Sequence, residues 1–364
     1  MKYYILLLTS LLSLMLVAQK SKIKFLNEQN KKPIIGLQIF SENGSFIGST
    51  DSMGEYELDI KLLQQAQIKS ILAYNTDYTS LEYMLSEIPP YIYLRKNDVI
   101  KLEPVVIKAH SSKEYFTLKG FFRSWQLLNG KLVKYGDGQV IYQVPYALVE
   151  NDFNTGVKNY FTNYRTFKVD SIKQKSRIIS ISTFDDYLAV STIPKNDLLK
   201  RGSKQYIVNL LKDRYCLVYK DEKEVGFAIK DENNNFSEIN ISTGFEGNES
   251  TKILFWKISG KYKEIEKWVE TGNARHPSYL FNSSKIVVKT RIEGKFNDLE
   301  TITEIFIDEE FVNGAVKPEK YKTSIDKDRS FYNSKYWDEQ LIKYPLPSAI
   351  KLQLTNVNEN KNNY

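Results

Sequence analysis

The chain has 364 residues, with 51 Lys and Arg against 44 Asp and Glu and a formal net charge of +7. This length is sufficient for two domains with real hydrophobic cores. Acidic residues are interspersed among the basic ones, as in Lys220–Glu224, so the charge indicates a solvated surface and excludes a nucleic-acid-binding patch.

The first 19 residues predict a secretory signal peptide. A single Lys2 precedes an apolar run that is shorter than a membrane span and ends in small or polar residues near Ala18 and Gln19. The alternative is an uncleaved anchor. Because no cysteine ends the run and no second hydrophobic span follows, we expect an exported protein without a lipid anchor, in the periplasm or associated with the outer membrane.

The one cysteine, Cys216, excludes an intramolecular disulfide. An exported protein without disulfides is more typical of a bacterial envelope than of a eukaryotic secreted scaffold. Cys216 lies in an apolar segment typical of a strand, which predicts a buried and inert thiol rather than a nucleophile.

Period-two alternation predicts strands around Ile35–Ile39 and Tyr56–Ile60, and Asn43-Gly44 is typical of a hairpin turn. Between them, Asp51 is expected to accept hydrogen bonds from backbone N–H groups two or three residues on, as turn aspartates do. Gly54 is expected to adopt a positive φ.

Asp51 has an alternative interpretation as a metal ligand, together with Glu42, Glu55 and Glu57. Calcium loops need several oxygen ligands at close, fixed offsets, and this segment has no such loop. The turn is therefore the preferred interpretation.

Three segments in this order resemble the carboxypeptidase regulatory-like domain: Pro33–Ile39, Gly48–Leu58 and Ile68–Tyr74. The resemblance implies a prealbumin-like, seven-stranded β-sandwich over residues 20–109, with Tyr91–Leu94 and Lys101–Lys108 as its last two strands. Asn75–Tyr78 departs from the family pattern, which has a glycine before the aromatic residue. The family implies a fold but no activity.

A short linker, residues 110–113, precedes a predicted β-rich domain over residues 114–354 and a frayed tail over residues 355–364. Lys285–Ile292 alternates clearly and predicts a hairpin with Leu299–Ile307. Helix signals are few and ambiguous: Tyr115–Leu127, Lys261–Val269 and Ser330–Gln340. The predicted fold class is thus mainly β, a seven-stranded prealbumin-like sandwich followed by a larger antiparallel sheet domain with few helices.

Two segments, Phe121–Gln126 and Asp137–Tyr142, resemble the second half of uncharacterised envelope proteins that carry the N-terminal module. Lys285–Phe306 is similar in architecture to the half-open sheets of periplasmic lipoprotein carriers. That similarity assigns no role to any residue.

We predict no catalytic, cofactor-binding or metal-binding residue. Neither His110 nor His276 begins a His-x-x-Glu zinc motif, and both are expected in linkers or loops. Adjacent carboxylates in a strand point to opposite faces, so the two acidic pairs are poor acid–base couples. These pairs are Asp185-Asp186 and Glu309-Glu310.

The leading hypothesis is a non-catalytic envelope protein, with the sandwich as an adaptor and the β-rich domain binding a protein, glycan or lipid. One alternative is a periplasmic carrier, which predicts an apolar pocket lined by residues such as Phe255 and Ile305. Another is an enzyme of unrecognised type, which predicts a cleft where Asp, Glu, Arg or Tyr side chains converge.

Overall fold

The computed structural model describes residues 20–97, 115–145, 158–168, 206–245, 251–253, 256–271, 274–290, 296–312, 339–340 and 342–361. The chain divides into two compact units, residues 1–101 with 343–364 and residues 102–342. The predicted signal peptide, the linker, Lys101–Lys108 and Asp185-Asp186 lie outside the described residues.

The first unit contains seven described strands and a short helix. They are β1 (Lys20–Asn27), β2 (Gln38–Ser41), β3 (Phe46–Ser49), β4 (Glu55–Asp59), α1 (Ile60–Gln65), β5 (Ser70–Asn75), β6 (Tyr78–Met84) and β7 (Tyr91–Leu94). One sheet has the order β4-β1-β7 with β1 and β7 parallel, and the other has the antiparallel order β3-β2-β5-β6.

Alternating side chains of both sheets form one core, as in a sandwich. Ile23 and Phe25 of β1 point inward and pack with Ile39 and Ile71 from the other sheet. Lys24, between the two inward residues of β1, donates instead to Glu55.

The turn before β4 is held by side-chain hydrogen bonds to the backbone. Asp51 Oδ1 accepts from the N–H groups of Met53 and Glu55, both at 2.8 Å, so its partners are two and four residues on. Gly54 adopts φ +70°, as predicted, and a Cβ there would lie 2.7 Å from the carbonyl oxygen of Phe25. Asp51 therefore has the turn role that the sequence favours.

Residues 348–361 form a helix, α2 (Ser348–Lys361), that belongs to the first unit. Ala349 N–H donates to the Glu42 carbonyl, and Ser348 Oγ donates to Glu82 Oε1 at 2.8 Å. The predicted β-rich end at residue 354 and the frayed tail from 355 are wrong here. The alternation of Ser348–Leu354 resembles a strand, but Ile350 and Leu354 are buried one helical turn apart.

The second unit is one large sheet. Its described strands are β8 (Tyr115–Leu128), β9 (Lys131–Pro145), β10 (Lys158–Lys168), β11 (Ile207–Lys212), β12 (Tyr215–Lys220), β13 (Lys223–Lys230), β14 (Phe236–Phe245), β15 (Thr251–Ile253), β16 (Trp256–Thr271), β17 (Ala274–Thr290) and β18 (Phe296–Val312). The order is β10-β9-β8-β18-β17-β16-β14-β13-β12-β11, with β15 beside β16.

Every described neighbour pair in this sheet is antiparallel. The predicted hairpin is β17 and β18, and the two ambiguous segments at 115–127 and 261–269 are strands. The prediction of a mainly β protein with a large antiparallel sheet is thus confirmed. No helix in the described part is long and apolar enough to cross a membrane.

Candidate functional site

Four charged residues of alternating sign lie side by side across the second sheet. Arg165 of β10 is opposite Asp137 of β9, which is opposite Arg123 of β8, which is opposite Glu304 of β18. Residues directly opposite one another on neighbouring strands share a face of the sheet. We call these four residues the ionic row.

At one end of the row, Glu304 is completely buried and both its oxygens accept hydrogen bonds. Arg123 Nε donates to Glu304 Oε2 at 2.5 Å, and the Tyr279 hydroxyl donates to Oε1 at 2.7 Å. The Arg123 guanidinium also lies 5.4 Å from the ring centre of Phe306 and 5.8 Å from that of Trp125. Aromatic faces therefore help to hold this buried cation.

At the other end, Asp137 is also completely buried and receives three hydrogen bonds. Arg165 donates from Nε to Oδ1 at 2.7 Å and from Nη2 to Oδ2 at 2.8 Å, a bidentate pair. The Tyr135 hydroxyl donates to Oδ2 at 2.6 Å. Burial, reinforced by the charge of Asp137, raises the pKa of Tyr135 well above its usual value, so the phenol stays protonated and remains a donor.

The row is electrically neutral, and each of its four carboxylate oxygens already has a donor. A general base must keep an oxygen within reach of the proton that it abstracts. The structure thus brings together the Asp, Glu, Arg and Tyr side chains that the enzyme hypothesis requires. These side chains, however, form hydrogen bonds with one another. This arrangement is suited to holding strands in register rather than to proton transfer.

The opposite face of the same strands carries an uncharged polar ladder. The hydroxyls of Ser124 and Thr303 lie 2.7 Å apart, and Gln126 Nε2 donates to Thr301 Oγ1 at 3.1 Å. All four residues are buried. The centre of the sheet is therefore covered on both faces, which places the ionic row in a low-dielectric interior.

A second polar cluster lies on β14 and β16, on the same face as the ionic row. Lys263 of β16 donates from Nζ to Asn240 Oδ1 of β14, and both side chains are buried. Asn240 Nδ2 makes no hydrogen bond within the described part of the chain. Burial lowers the pKa of Lys263 to about 8, although the charge of Glu238 acts in the other direction. We call these two residues the Lys263–Asn240 pair.

No residue of either cluster was predicted as a site residue from the sequence. His276, expected in a loop, lies in β17, where it is buried with Nδ1 3.0 Å from the Pro277 carbonyl oxygen. Cys216 is buried as predicted, and burial raises the pKa of its thiol. Ile305 is buried in β18, whereas Phe255 lies outside the described residues.

The missed residues had a weak signal in the sequence. Arg123 and Glu304 are single charges within apolar or aromatic strands, Phe121–Trp125 and Ile302–Phe306. A lone charge inside such a strand predicts that an oppositely charged partner exists. The sequence does not identify that partner, because Arg123 and Glu304 are 181 residues apart. Among the described residues, no group of three or more His, Cys, Asp or Glu could hold a metal ion.

Lys263 gives the sheet a distinctive pH dependence. Its pKa is about 8 in the folded protein and about 10.5 in the unfolded chain, so between these values the unfolded chain binds the additional proton. Stability therefore rises with pH in this window, and below pH 8 the full cost of burying the charge remains. Lys263→Met removes that cost, so we expect the variant to be more stable at pH 7 by about 3 kcal/mol, from about 1.36 kcal/mol per pKa unit.

The measurement is urea unfolding of wild type and variant from pH 7 to 10.5, plotted as the difference between them. The difference should fall as pH rises. Lys257→Met, at an exposed position of the same strand, is the matched control. A flat curve for Lys263→Met would contradict the lowered pKa of Lys263.

Comparisons with known proteins name no family. No family model matches the chain, and neither does any curated protein. A solved structure titled "Lipid-protein interactions in lipovitellin" is similar with a TM-score of 0.26 and 8% sequence identity. The match covers 62% of this chain and 28% of the lipovitellin chain, so this protein spans less than a third of that molecule.

Proposed function

We propose that this chain is a non-catalytic binding protein of the bacterial cell envelope. Its first unit would serve as an adaptor, and its second would engage an envelope protein. Export is supported by the signal-like residues 1–19, and the adaptor role by the resemblance of residues 20–109 to a regulatory-like module. The internally satisfied ionic row favours binding over catalysis.

Strand β11 is the observation that carries this proposal. It pairs with β12 on one side and ends the described strand path of the large sheet. Three of its six residues are large apolar side chains that are more than half exposed, namely Ile207, Leu210 and Leu211 at 56%, 63% and 57%. A strand at a sheet edge offers unpaired N–H and C=O groups as a template for another chain.

The chemistry of this edge selects an extended peptide as its occupant. Strand addition satisfies the backbone groups, while alternate side chains of the added strand cover apolar residues on the two faces. β11 pairs with β12 without a register break from Ile207 to Leu210, and its register shift lies at the end of the strand, between Leu210 and Lys212. In the other end strand, β10, the break lies in the middle, between Thr162 and Arg165, with Asn163 at φ +45°, and such bulges blunt an edge.

Photo-crosslinking in the producing bacterium tests the proposal. A photoreactive amino acid replacing Leu210 should give a crosslinked product with a different envelope protein, and Ile207→Asp should abolish it. Glu224, exposed on β13, is the matched control position and should give no product. Absence of a product at position 210, or a product with the mass of two copies of this chain, would overturn the proposed partner.

A further inference from the structure

The alternation of strand β16 sorts its charged residues by face. Residues at alternate positions of a strand share a face, and four lysines of β16 alternate on the face that carries the ionic row. Glu264 and Glu266 lie at positions between these lysines and therefore on the other face. Because the same charges are interspersed in the sequence, the positive face arises only when the strand forms. The four lysines are Lys257, Lys261, Lys263 and Lys267.

Neighbouring strands extend this positive face at one end of the sheet. Lys257 is opposite Lys252 of β15 on one side and Lys289 of β17 on the other, so three lysines form one row. Further along β16, Lys261 is opposite Lys285 of β17. Like charges directly opposite one another on neighbouring strands are destabilising, so this placement indicates an anionic partner. We call these five residues the lysine face.

The carboxylates beside the lysine face do not balance it. Asp298 and Glu300 of β18 are the acidic residues opposite this part of β17, and both lie close to a single lysine. Lys285 Nζ is 2.9 Å from Asp298 Oδ2 and 3.7 Å from Glu300 Oε2. Residues 246–250 and 291–295, which connect these strands, add three acidic and two basic residues in the sequence. An excess of positive charge therefore remains at this end of the sheet.

The lysine face is exposed and wide. Lys257 and Lys261 are both exposed. Neighbouring strands are about 4.8 Å apart and each residue advances a strand by about 3.3 Å, so the five lysines are spread over about 10 Å by about 13 Å. Charges at this spacing suit a surface with many separate negative charges better than one compact anion.

An aromatic residue ends the lysine row. Phe296 of β18 is opposite Lys289 of β17, so the register places it on the same face as the lysines. Lysines together with Phe, Trp or Leu residues are typical of protein surfaces at the boundary between lipid headgroups and acyl chains. A soluble polyanion offers no apolar layer to an aromatic residue, so the combination favours a bilayer.

We propose that the lysine face docks on the surface of an anionic lipid bilayer. The ammonium groups contact the negatively charged headgroups, and Phe296 adds an apolar contact at the acyl boundary. Each lysine near an anionic leaflet contributes about fivefold to the affinity. The surface uses other residues than strand β11, so it stands or falls independently of the proposed protein partner.

Co-sedimentation of the full chain with lipid vesicles tests the proposal. Vesicles of equal parts phosphatidylglycerol and phosphatidylcholine should bind the chain, and vesicles of phosphatidylcholine alone should not. Lys257→Gln with Lys289→Gln should weaken binding by about 25-fold, at about fivefold per lysine. Raising the salt from about 0.1 M to about 1 M should release the chain, because the Debye length falls from about 10 Å to about 3 Å.

The matched control removes the same charge at the opposite end of the sheet. Lys212 and Arg214 are exposed there, and strand pairing across the sheet places Lys212 at the level of Lys267. Both positions lie well beyond a Debye length of about 10 Å from the lysine row, so Lys212→Gln with Arg214→Gln should leave vesicle binding nearly unchanged.

Phe296→Ala separates a bilayer from a soluble polyanion. The variant should bind the mixed vesicles more weakly and should be retained on immobilised heparin like the wild type, which also shows that it is folded. Absence of binding to the mixed vesicles would overturn the proposal, and so would equal losses for the two double variants. Vesicle binding that does not respond to Phe296→Ala would assign the lysine face to a soluble polyanion instead.

Discussion

Glu304→Ala is expected to lower the free energy of unfolding of the large sheet by about 3–5 kcal/mol. The substitution removes the acceptor of both Arg123 and the Tyr279 hydroxyl. Arg123, which is 1% exposed, would then lose Glu304, and the buried row would keep two arginines against one aspartate, one positive charge in excess. The expected loss of stability therefore comes mainly from a buried positive charge that is no longer compensated, rather than from the loss of one attractive contact.

The matched control is Glu232→Ala in the same unit. Glu232 pairs with Arg214 at 3.5 Å, but the two side chains are 84% and 53% exposed, and exposed pairs of this kind contribute about 0–1 kcal/mol. The free energies of unfolding of the two variants, measured in urea, should differ by about 2–5 kcal/mol, following the contrast between buried and exposed pairs. Similar losses for both would contradict a buried, tightly coupled row.

A double replacement separates the stranded charge from the packing. Arg123→Met with Glu304→Leu removes both charges while keeping apolar volume, and such replacements of buried pairs are often neutral or stabilising. We expect the double variant to recover most of the stability lost by Glu304→Ala. A double variant as unstable as the single one would mean that packing around Trp125 and Phe306, rather than the charge, dominates.

Strand patterns in the sequence predicted the architecture well where one face is apolar. Lys285–Ile292 alternates, and β17 and β18 indeed pair along their length. The predicted domain end at residue 354 was wrong, because the apolar residues of Ser348–Leu354 alternate in the sequence but form a helix that belongs to the first unit. Its apolar residues at 350 and 354 also fit one helical face, and only packing against the first unit decides between the two periods.

The candidate sites could not be predicted, because they are made by register rather than by motif. Arg165, Asp137, Arg123 and Glu304 belong to four strands, and a shift of one residue in any pairing would turn one charge to the other face. The Lys263–Asn240 pair depends likewise on the register of β14 against β16. Single residues such as Asp51, whose partners are local, were assigned correctly.

Gly120 marks the closest approach of β8 to β18. A Cβ added at this position would overlap the carbonyl oxygen of Phe306 and lie 3.0 Å from the Cα of Ile307. Both obstacles are backbone atoms, so no side-chain rotation can relieve them. The register of the two strands shifts just beyond this point, between Ile307 and Glu309, where glycine permits the chains to approach.

Gly120→Ala is therefore expected to destabilise the sheet by about 2–4 kcal/mol, measured by urea unfolding. Gly244→Ala is the matched control, because its added Cβ would meet one backbone oxygen, that of Gly260, at 2.7 Å and nothing else closer than 3.5 Å. There the overlap is smaller but is also with a backbone atom, so we expect a loss that is smaller than at Gly120 without being zero. The contrary result would be that Gly120→Ala lowers the free energy of unfolding by no more than Gly244→Ala does. That result would mean that β8 and β18 are further apart at Gly120. It would also contradict the neighbouring register that sets Arg123 opposite Glu304.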